Sequence, residues 1–570
     1  MTRRDATTRP GATTRPGAAT RPGAADILFV NGAVRTMEPA RRVASAVAVR
    51  DGRIAAVGLD HQLRTLAGPR TRVLDLEGRT LLPGFQDAHV HPPMGGWAIL
   101  TCDLHHLPWD RDAYLERIRD YAASHPDEPW IVGGGWGMPA FPGGTPSRHD
   151  LDAAVPGRPV FLENRDGHGA WVSSRALEMA GVTAATPDPA DGRIEREADG
   201  SPQGTLHEGA ANLVRRLVPP FSDARWEEAI RAAQAYLHGF GITAVTDAWV
   251  TAEHLPAYRA LAERGDLTLR TTLSLWWDRG GGLEQLAWLE EARRSATTGR
   301  LRASTVKLML DGVLENFTGA LLEPYLDAAG HATDVTGIDF IDPARLAREI
   351  APALDAAAFQ LHFHAIGDRA VRSALDAVEA VRRANGPRDR RPHVAHLQVI
   401  HPADIPRFRT LDVGATMQPL WAAHEAQMRD LTIPFLGPER SGWQYPFRSL
   451  ERAGARLVGG SDWSVSTPDV LREVEVAVNR VAPESRGREM PFLPDERLDL
   501  ASALGAFTIG AAWANGLERE TGTLEPGKLA DLVVLDRDVF DRGAGEIGDA
   551  RVLLTLSEGV AVHADPSIGW

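Results

Sequence analysis

Through the middle of the chain, short apolar runs alternate with longer stretches whose apolar positions recur at helical spacing, the pattern of β/α units. The apolar runs at 242–247, 267–275, 304–310, 360–364, 393–398, 415–418 and 456–458 are expected to be strands. The stretches at 226–238, 344–357 and 369–384 are expected to be helices between them. A further run ends in Asp87-Ala88-His89-Val90-His91, is stopped by Pro92-Pro93, and supplies a first strand. Eight strands with helices between them predict a (β/α)8 TIM-like barrel.

Toward both ends the pattern becomes one of strands. Runs at 27–30, 46–50 and 53–57, with turn signals at Asn31-Gly32 and Asp51-Gly52, are matched near the other end by runs at 527–535 and 551–556. Segments 26–80 and 522–570 are therefore expected to form one small β-sandwich domain from both chain ends. The first barrel strand lies within 81–96, and the rest of the barrel within 226–521. The intervening 97–225 is too long for one β/α connection and predicts an inserted α+β subdomain. Residues 1–25 repeat Thr-Arg-Pro-Gly-Ala units that cannot bury a core, so a disordered tail is expected there.

Composition narrows the class. An apolar fraction of 43% over 570 residues supports a large core, and a net charge of −14 argues against nucleic acid as a partner. A single cysteine, Cys102, excludes an intrachain disulfide and is most simply a small buried residue. Arg3-Arg4 lacks the apolar stretch of an export signal, and no run is long enough for a membrane span. A cytoplasmic protein without membrane contact is expected, with monomer and homo-oligomer equally open.

The candidate chemistry lies in five separated stretches. In a strand, alternate side chains share a face, so His89 and His91 can address one ion, and Asp87 has the same parity. Lys307 sits in the apolar run Val306-Lys307-Leu308, in phase with Met309 and Asp311. His364 and His396 end two later strands, and Asp462 follows Gly460-Ser461. Neutral imidazoles and carboxylates suit zinc, whereas an ammonium does not ligate. A lysine buried among cations loses its proton more easily and can add carbon dioxide, giving an anionic carbamate able to bridge two metals. Two ions sharing a hydroxide would supply a nucleophile at neutral pH, with Asp462 moving its proton to a leaving nitrogen.

In combination these motifs are specific. Leu82-Pro83-Gly84-Phe85-Gln86-Asp87-Ala88-His89-Val90-His91 resembles the opening motif of the amidohydrolase superfamily. Asp311-Gly312, His364-Ala365-Ile366-Gly367-Asp368-Arg369-Ala370, Gly460-Ser461-Asp462-Trp463, Asp166-Gly167-His168 and Gly204-Thr205-Leu206-His207-Glu208 are similar to its YtcJ-like branch, which includes N-substituted formamide deformylases. The resemblance implies hydrolysis of a non-peptide C–N bond in a small amide-like substrate. It implies His89, His91, Lys307, His364 and His396 as ligands of two divalent ions, zinc first among them. Asp462 would be ligand and proton shuttle, and His168 and Glu208 substrate-side groups. Where the family usually carries Glu before the sixth-strand histidine, this chain has Ala395, whose parity against His396 is expected to point away from the site.

Blander roles compete at several positions. His362 shares the phase of His364 and is expected to be a hydrogen-bonded barrel residue; His393 is expected to be structural. Asp311 either supports a ligand or makes a turn with Gly312, and His105 and His106 are expected at the surface. Trp249, Trp276, Trp277, Trp421 and Trp463 follow strand ends, where they either wall an entrance for a bulky apolar or aromatic group or pack the insertion on the rim. Two other function classes remain. A deaminase of the same superfamily usually has an acidic residue two places after the fifth-strand histidine, where this chain has Ile366. A non-catalytic binding protein would be expected to have lost some of the ligand set.

Overall fold

The computed structural model describes residues 23–541 and 543–570. The repeats at 1–22, which make up most of the expected tail, lie outside the described residues; Ala25 is already buried and donates its N–H to the Leu66 carbonyl. Eight parallel strands form the central sheet: β1 Phe85–Val90, β2 Ile242–Val250, β3 Arg270–Trp276, β4 Leu301–Met309, β5 Gln360–Ala365, β6 His393–His396, β7 Gly414–Met417 and β8 Arg456–Gly459. Each pairs with its neighbour in chain order, so all eight expected barrel strands are present and adjacent. Beyond the strand ends, Asp462 N–H donates to the His89 carbonyl at 2.8 Å and His91 N–H to the Trp463 carbonyl at 2.7 Å, linking the last strand to the first.

The outward face of these strands carries Val306, Leu308, Phe363, Val394 and Ala415, which join one large apolar cluster with the surrounding helices. Helix Asp368–Asn385 shows why such segments are helical: Ala370, Val371, Ala374, Leu375 and Val378 fall on one buried stripe. Ser222 caps the helix Asp223–Gly239 by accepting from Arg225 N–H.

Three further sheets accompany the barrel. Ile27–Val30, Ala46–Arg50, Arg53–Gly58 and Arg72–Asp75 make one of four strands. A six-stranded sheet joins Ala33–Arg35, Val43–Ala44 and Thr80–Pro83 to Leu532–Leu535, Val552–Ser557 and Val560–Ala564, with Leu82 opposite Val533. Phe29 and Val47 of the first pack with Leu81, Leu532 and Leu554 of the second. A third sheet, of six strands, runs from Cys102–Asp103 to Pro202–Glu208, within the stretch between β1 and β2.

One turn signal behaves differently from expectation. Asp51-Gly52, both at positive φ, makes the tight hairpin between Ala46–Arg50 and Arg53–Gly58. Asn31-Gly32 instead carries the chain from one sheet to the other, because Ile27–Val30 pairs with Ala46–Arg50 and Ala33–Arg35 with Val43–Ala44.

Candidate metal centre

His89, His91 and Asp462 converge where β1 and β8 end, and one donor atom from each lies within 4.8 Å of the others. Asp462 Oδ1 is 2.9 Å from His91 Nε2 and 3.2 Å from His89 Nε2. Lys307 Nζ reaches the same nitrogen of His89 at 3.2 Å. All of these except His91 are buried.

The two later histidines join the cluster differently. The His396 ring lies 4.7 Å from that of His89 and 4.3 Å from that of His364, and its Nδ1 is 3.9 Å from Asp462 Oδ2. Strand parity does not deliver it. In the parallel register His364 sits beside Ala395, so Ala395 shares the inward side with His364 and Thr416, opposite to the expectation from sequence. His396 turns into the cluster because it leaves β6 at φ 79°, a conformation unusual for a non-glycine residue. Asp462 is likewise held at φ 55°. His364 shares the pocket, but its Nε2 points at the Gly312 carbonyl (3.3 Å) and Asp311 (3.6 Å).

The electrostatics suit a cation. Burial lowers the pKa of His89 to about 3 and those of His364 and His396 well below the imidazole range, leaving neutral rings able to ligate. Burial also lowers Lys307 to about 7, although Asp462 and Asp247 pull it the other way. Burial alone would raise Asp462, yet His89, His91 and His396 hold its carboxyl well below the ordinary range. The buried Nδ1 atoms of His91 and His396 have no hydrogen-bond partner. Neutral imidazoles, one buried anion and unpartnered donor nitrogens are the composition that a divalent ion fits.

Around this cluster lie residues that the sequence singled out less clearly. Asp87 accepts from Ser461 Oγ at 2.5 Å and from the His89 and Ser461 N–H groups; its shared parity with the HxH pair was the signal for it. Asp311 accepts from the N–H groups of Ala320, Ile366 and Gly367, pinning the turn after His364, so it does more than bend the chain at Gly312. Gln418 Oε1 accepts from His396 N–H, and Asp247 from Tyr258 Oη; neither has a local sequence signature.

The segment between β1 and β2 contributes His168. Its Nδ1 lies 3.0 Å from both oxygens of Glu208, which also accepts from Thr318, and its ring is 5.6 Å from that of His364. Both side chains are about nine-tenths buried or more, so this is not a surface ion pair. His168 Nε2 has no protein hydrogen-bond partner among the described residues. Burial opposes a charge on His168, but Glu208 and Asp166 raise its pKa to about 9.

The tryptophans divide between packing and exposure. Trp463 is buried, stacked on Tyr236 at 5.2 Å with its ring against Gly95. Trp421 stacks parallel on His396, and half-buried Trp249 meets Trp276 edge-on at 5.8 Å. His105 is only partly exposed, bound to Asp103 at 2.7 Å, while His106 is exposed.

The amidohydrolase family profile matches residues 72–563, and the chain belongs to this family, as the motifs, including those of the YtcJ-like branch, imply. Protein LONG AFTER FAR-RED 3 of Arabidopsis thaliana is 33% identical over 95% of this chain and 92% of its own length. N-substituted formamide deformylase of Arthrobacter pascens is 31% identical over 94% of this chain and 98% of its own. Among solved structures, an uncharacterized metal-dependent hydrolase from Pyrococcus furiosus superposes with a TM-score of 0.69 at 25% identity, covering 90% of this chain and 99% of that one. The class is that of an amidohydrolase-family hydrolase. No helix among the described residues is long and apolar enough to cross a membrane.

Proposed function

We propose that this protein hydrolyses a non-peptide C–N bond in a small amide-like molecule, with N-substituted formamides the first class to test. The observation that carries the proposal is the buried convergence of His89, His91 and Asp462 with Lys307 Nζ at 3.2 Å from His89 Nε2. The deformylase relative, similar over nearly its whole length, directs attention to formamides.

In this scheme His89, His91, His364, His396, Asp462 and a carboxylated Lys307 would hold two divalent ions, zinc the first candidate. Such ions would supply a nucleophile from water at neutral pH and polarise the substrate carbonyl. Asp462 is the proton carrier: anionic, buried, 2.9 Å from His91 Nε2 and 3.2 Å from His89 Nε2, it takes a proton at a carboxylate oxygen and returns it to the leaving nitrogen. His168, anchored by Glu208, offers Nε2 to the acyl oxygen from the side of His364. Trp249 and Trp276 provide an apolar surface for the nitrogen substituent. We assign substrate choice to the inserted segment 97–225 and a supporting role to the end-strand unit of 26–80 and 522–570.

The test is a panel of formamides, acylamides, lactams and carbamates assayed on metal-quantified protein, with ammonia release measured in parallel. Turnover of formamides that tracks metal content supports the proposal. Ammonia release from an amino-substituted ring would redirect it to deamination, and no turnover by metal-loaded protein would favour a binding role.

A further inference from the structure

We propose that His362 is the positioning residue of the metal centre: it fixes His89 in the tautomer that presents Nε2 to the ion, and is not itself a ligand. The proposal rests on the metal-centre assignment made above. His362 lies two residues before His364 on β5 and shares its inward side, so sequence phase alone makes it a rival ligand. The geometry assigns it otherwise. His362 Nε2 lies 2.8 Å from His89 Nδ1, and His362 Nδ1 lies 2.9 Å from Ser274 Oγ on β3. Both ring nitrogens are therefore engaged, and the residue is fully buried. Edge-on contacts with the His393 ring at 4.1 Å and the His89 ring at 4.7 Å fix its plane.

An imidazole that ligates through Nε2 carries its proton on Nδ1, and a buried N–H needs an acceptor. His89 Nε2 is the nitrogen that faces Asp462 and Lys307, so Nδ1 is the one that must donate. His362 Nε2 accepts that proton's hydrogen bond. His362 then carries its own proton on Nδ1 and donates it to the Ser274 hydroxyl. The three side chains, from β1, β5 and β3, form one directed chain across the barrel interior. A neutral imidazole as the acceptor orients His89 without adding a second anion beside Asp462.

The experiment compares wild type, His362→Leu, His362→Gln and Ser274→Ala. Zinc affinity is read by chelator competition and zinc per chain after dialysis, with circular dichroism confirming the fold. The glutamine amide reaches roughly where the imidazole Nε2 lies, so it can still accept from His89. We expect His362→Leu to weaken zinc binding by about 10- to 100-fold, and His362→Gln to recover most of that loss. Ser274→Ala is expected to weaken it by a smaller factor. Wild-type affinity in His362→Leu, or equal losses in the leucine and glutamine variants, would overturn the role. If the leucine variant does not fold, Ser274→Ala decides, and unchanged zinc affinity there overturns it. A folded wild type that takes up no divalent ion sinks the metal-centre assignment itself, which is a different outcome from variants that bind as wild type does.

Discussion

The Ser461 hydroxyl donates to the Asp87 carboxylate at 2.5 Å, joining the first barrel strand to the segment after the last, directly beneath the candidate ligands. The bond has structural weight because Asp87 also holds the N–H groups of His89 and Ser461, one on each side of the barrel's closure. Ser461→Ala leaves a buried carboxyl short of one donor, at a cost of about 1–3 kcal/mol. A lowered thermal midpoint together with weaker metal retention is expected. An unchanged midpoint with full metal content would show that the backbone bonds between Asp462 and His89 close the barrel unaided.

Asp462 separates binding from proton transfer. The amide of Asp462→Asn keeps an oxygen for a metal but cannot accept and return a proton at neutral pH. Metal content near wild type with turnover lowered by about 10²- to 10⁴-fold is expected. A fully active Asp462→Asn variant would remove this residue from the proton path.

Lys307 is buried, with a pKa lowered by that burial to about 7, so part of the population carries a free amine at neutral pH. That amine can add carbon dioxide, forming an N–C bond and releasing one proton to solvent. Lys307→Ala is expected to lose metal, and small carboxylic acids are expected to restore part of it by occupying the carbamate's place. Mass spectrometry of native protein in bicarbonate checks the adduct directly. Retained metal in Lys307→Ala without added acid would exclude a bridging role.

The barrel was legible because each of its strands is a short apolar run beside a turn, and the HxH strand because Pro92-Pro93 ends it. Parity served for His89, His91 and His362, even though β1 shifts register against β2 between Asp87 and Val90. It failed for His396 and Ala395, since a single residue at φ 79° reverses the side on which His396 emerges. Nothing in local sequence encodes that reversal. Nor did sequence distinguish Trp463 from Trp249: both follow a strand, but only the fold brings Tyr236 and Gly95 against Trp463. His168 and Glu208 were visible only through motif likeness, because a six-stranded sheet outside the barrel presents them.

Arg270, at the start of β3, pairs with Asp531 at 2.6 Å, and both side chains are more than nine-tenths buried. Asp531 immediately precedes Leu532–Leu535, so this pair fastens the barrel to the end-strand sheet. Arg270→Met strands a buried carboxylate and is expected to cost about 3–5 kcal/mol. Replacing both partners by apolar residues of similar size is expected to recover much of that loss. Chemical denaturation of the single and double variants measures the difference, and equal stability of Arg270→Met and wild type would count against the clamp.

The ion pair of His168 and Glu208 sets a pH window. The folded pKa of His168, about 9, lies above its ordinary 6.5, because Glu208 and Asp166 outweigh the cost of burial. A raised pKa on a cationic group means that its stabilising contribution is complete below 6.5 and is lost as pH rises through about 9. With Nδ1 committed to Glu208, only the protonated ring has a second N–H to offer a substrate oxygen. The expected profile of kcat/KM therefore has an alkaline limb near pH 9 that belongs to His168. His168→Gln is expected to remove that limb and to lower kcat/KM by about 100-fold. The stability advantage of wild type over this variant is expected to shrink across the same interval. If the variant keeps an alkaline limb at the same pH, the titrating group lies elsewhere and His168 does not act through its charge.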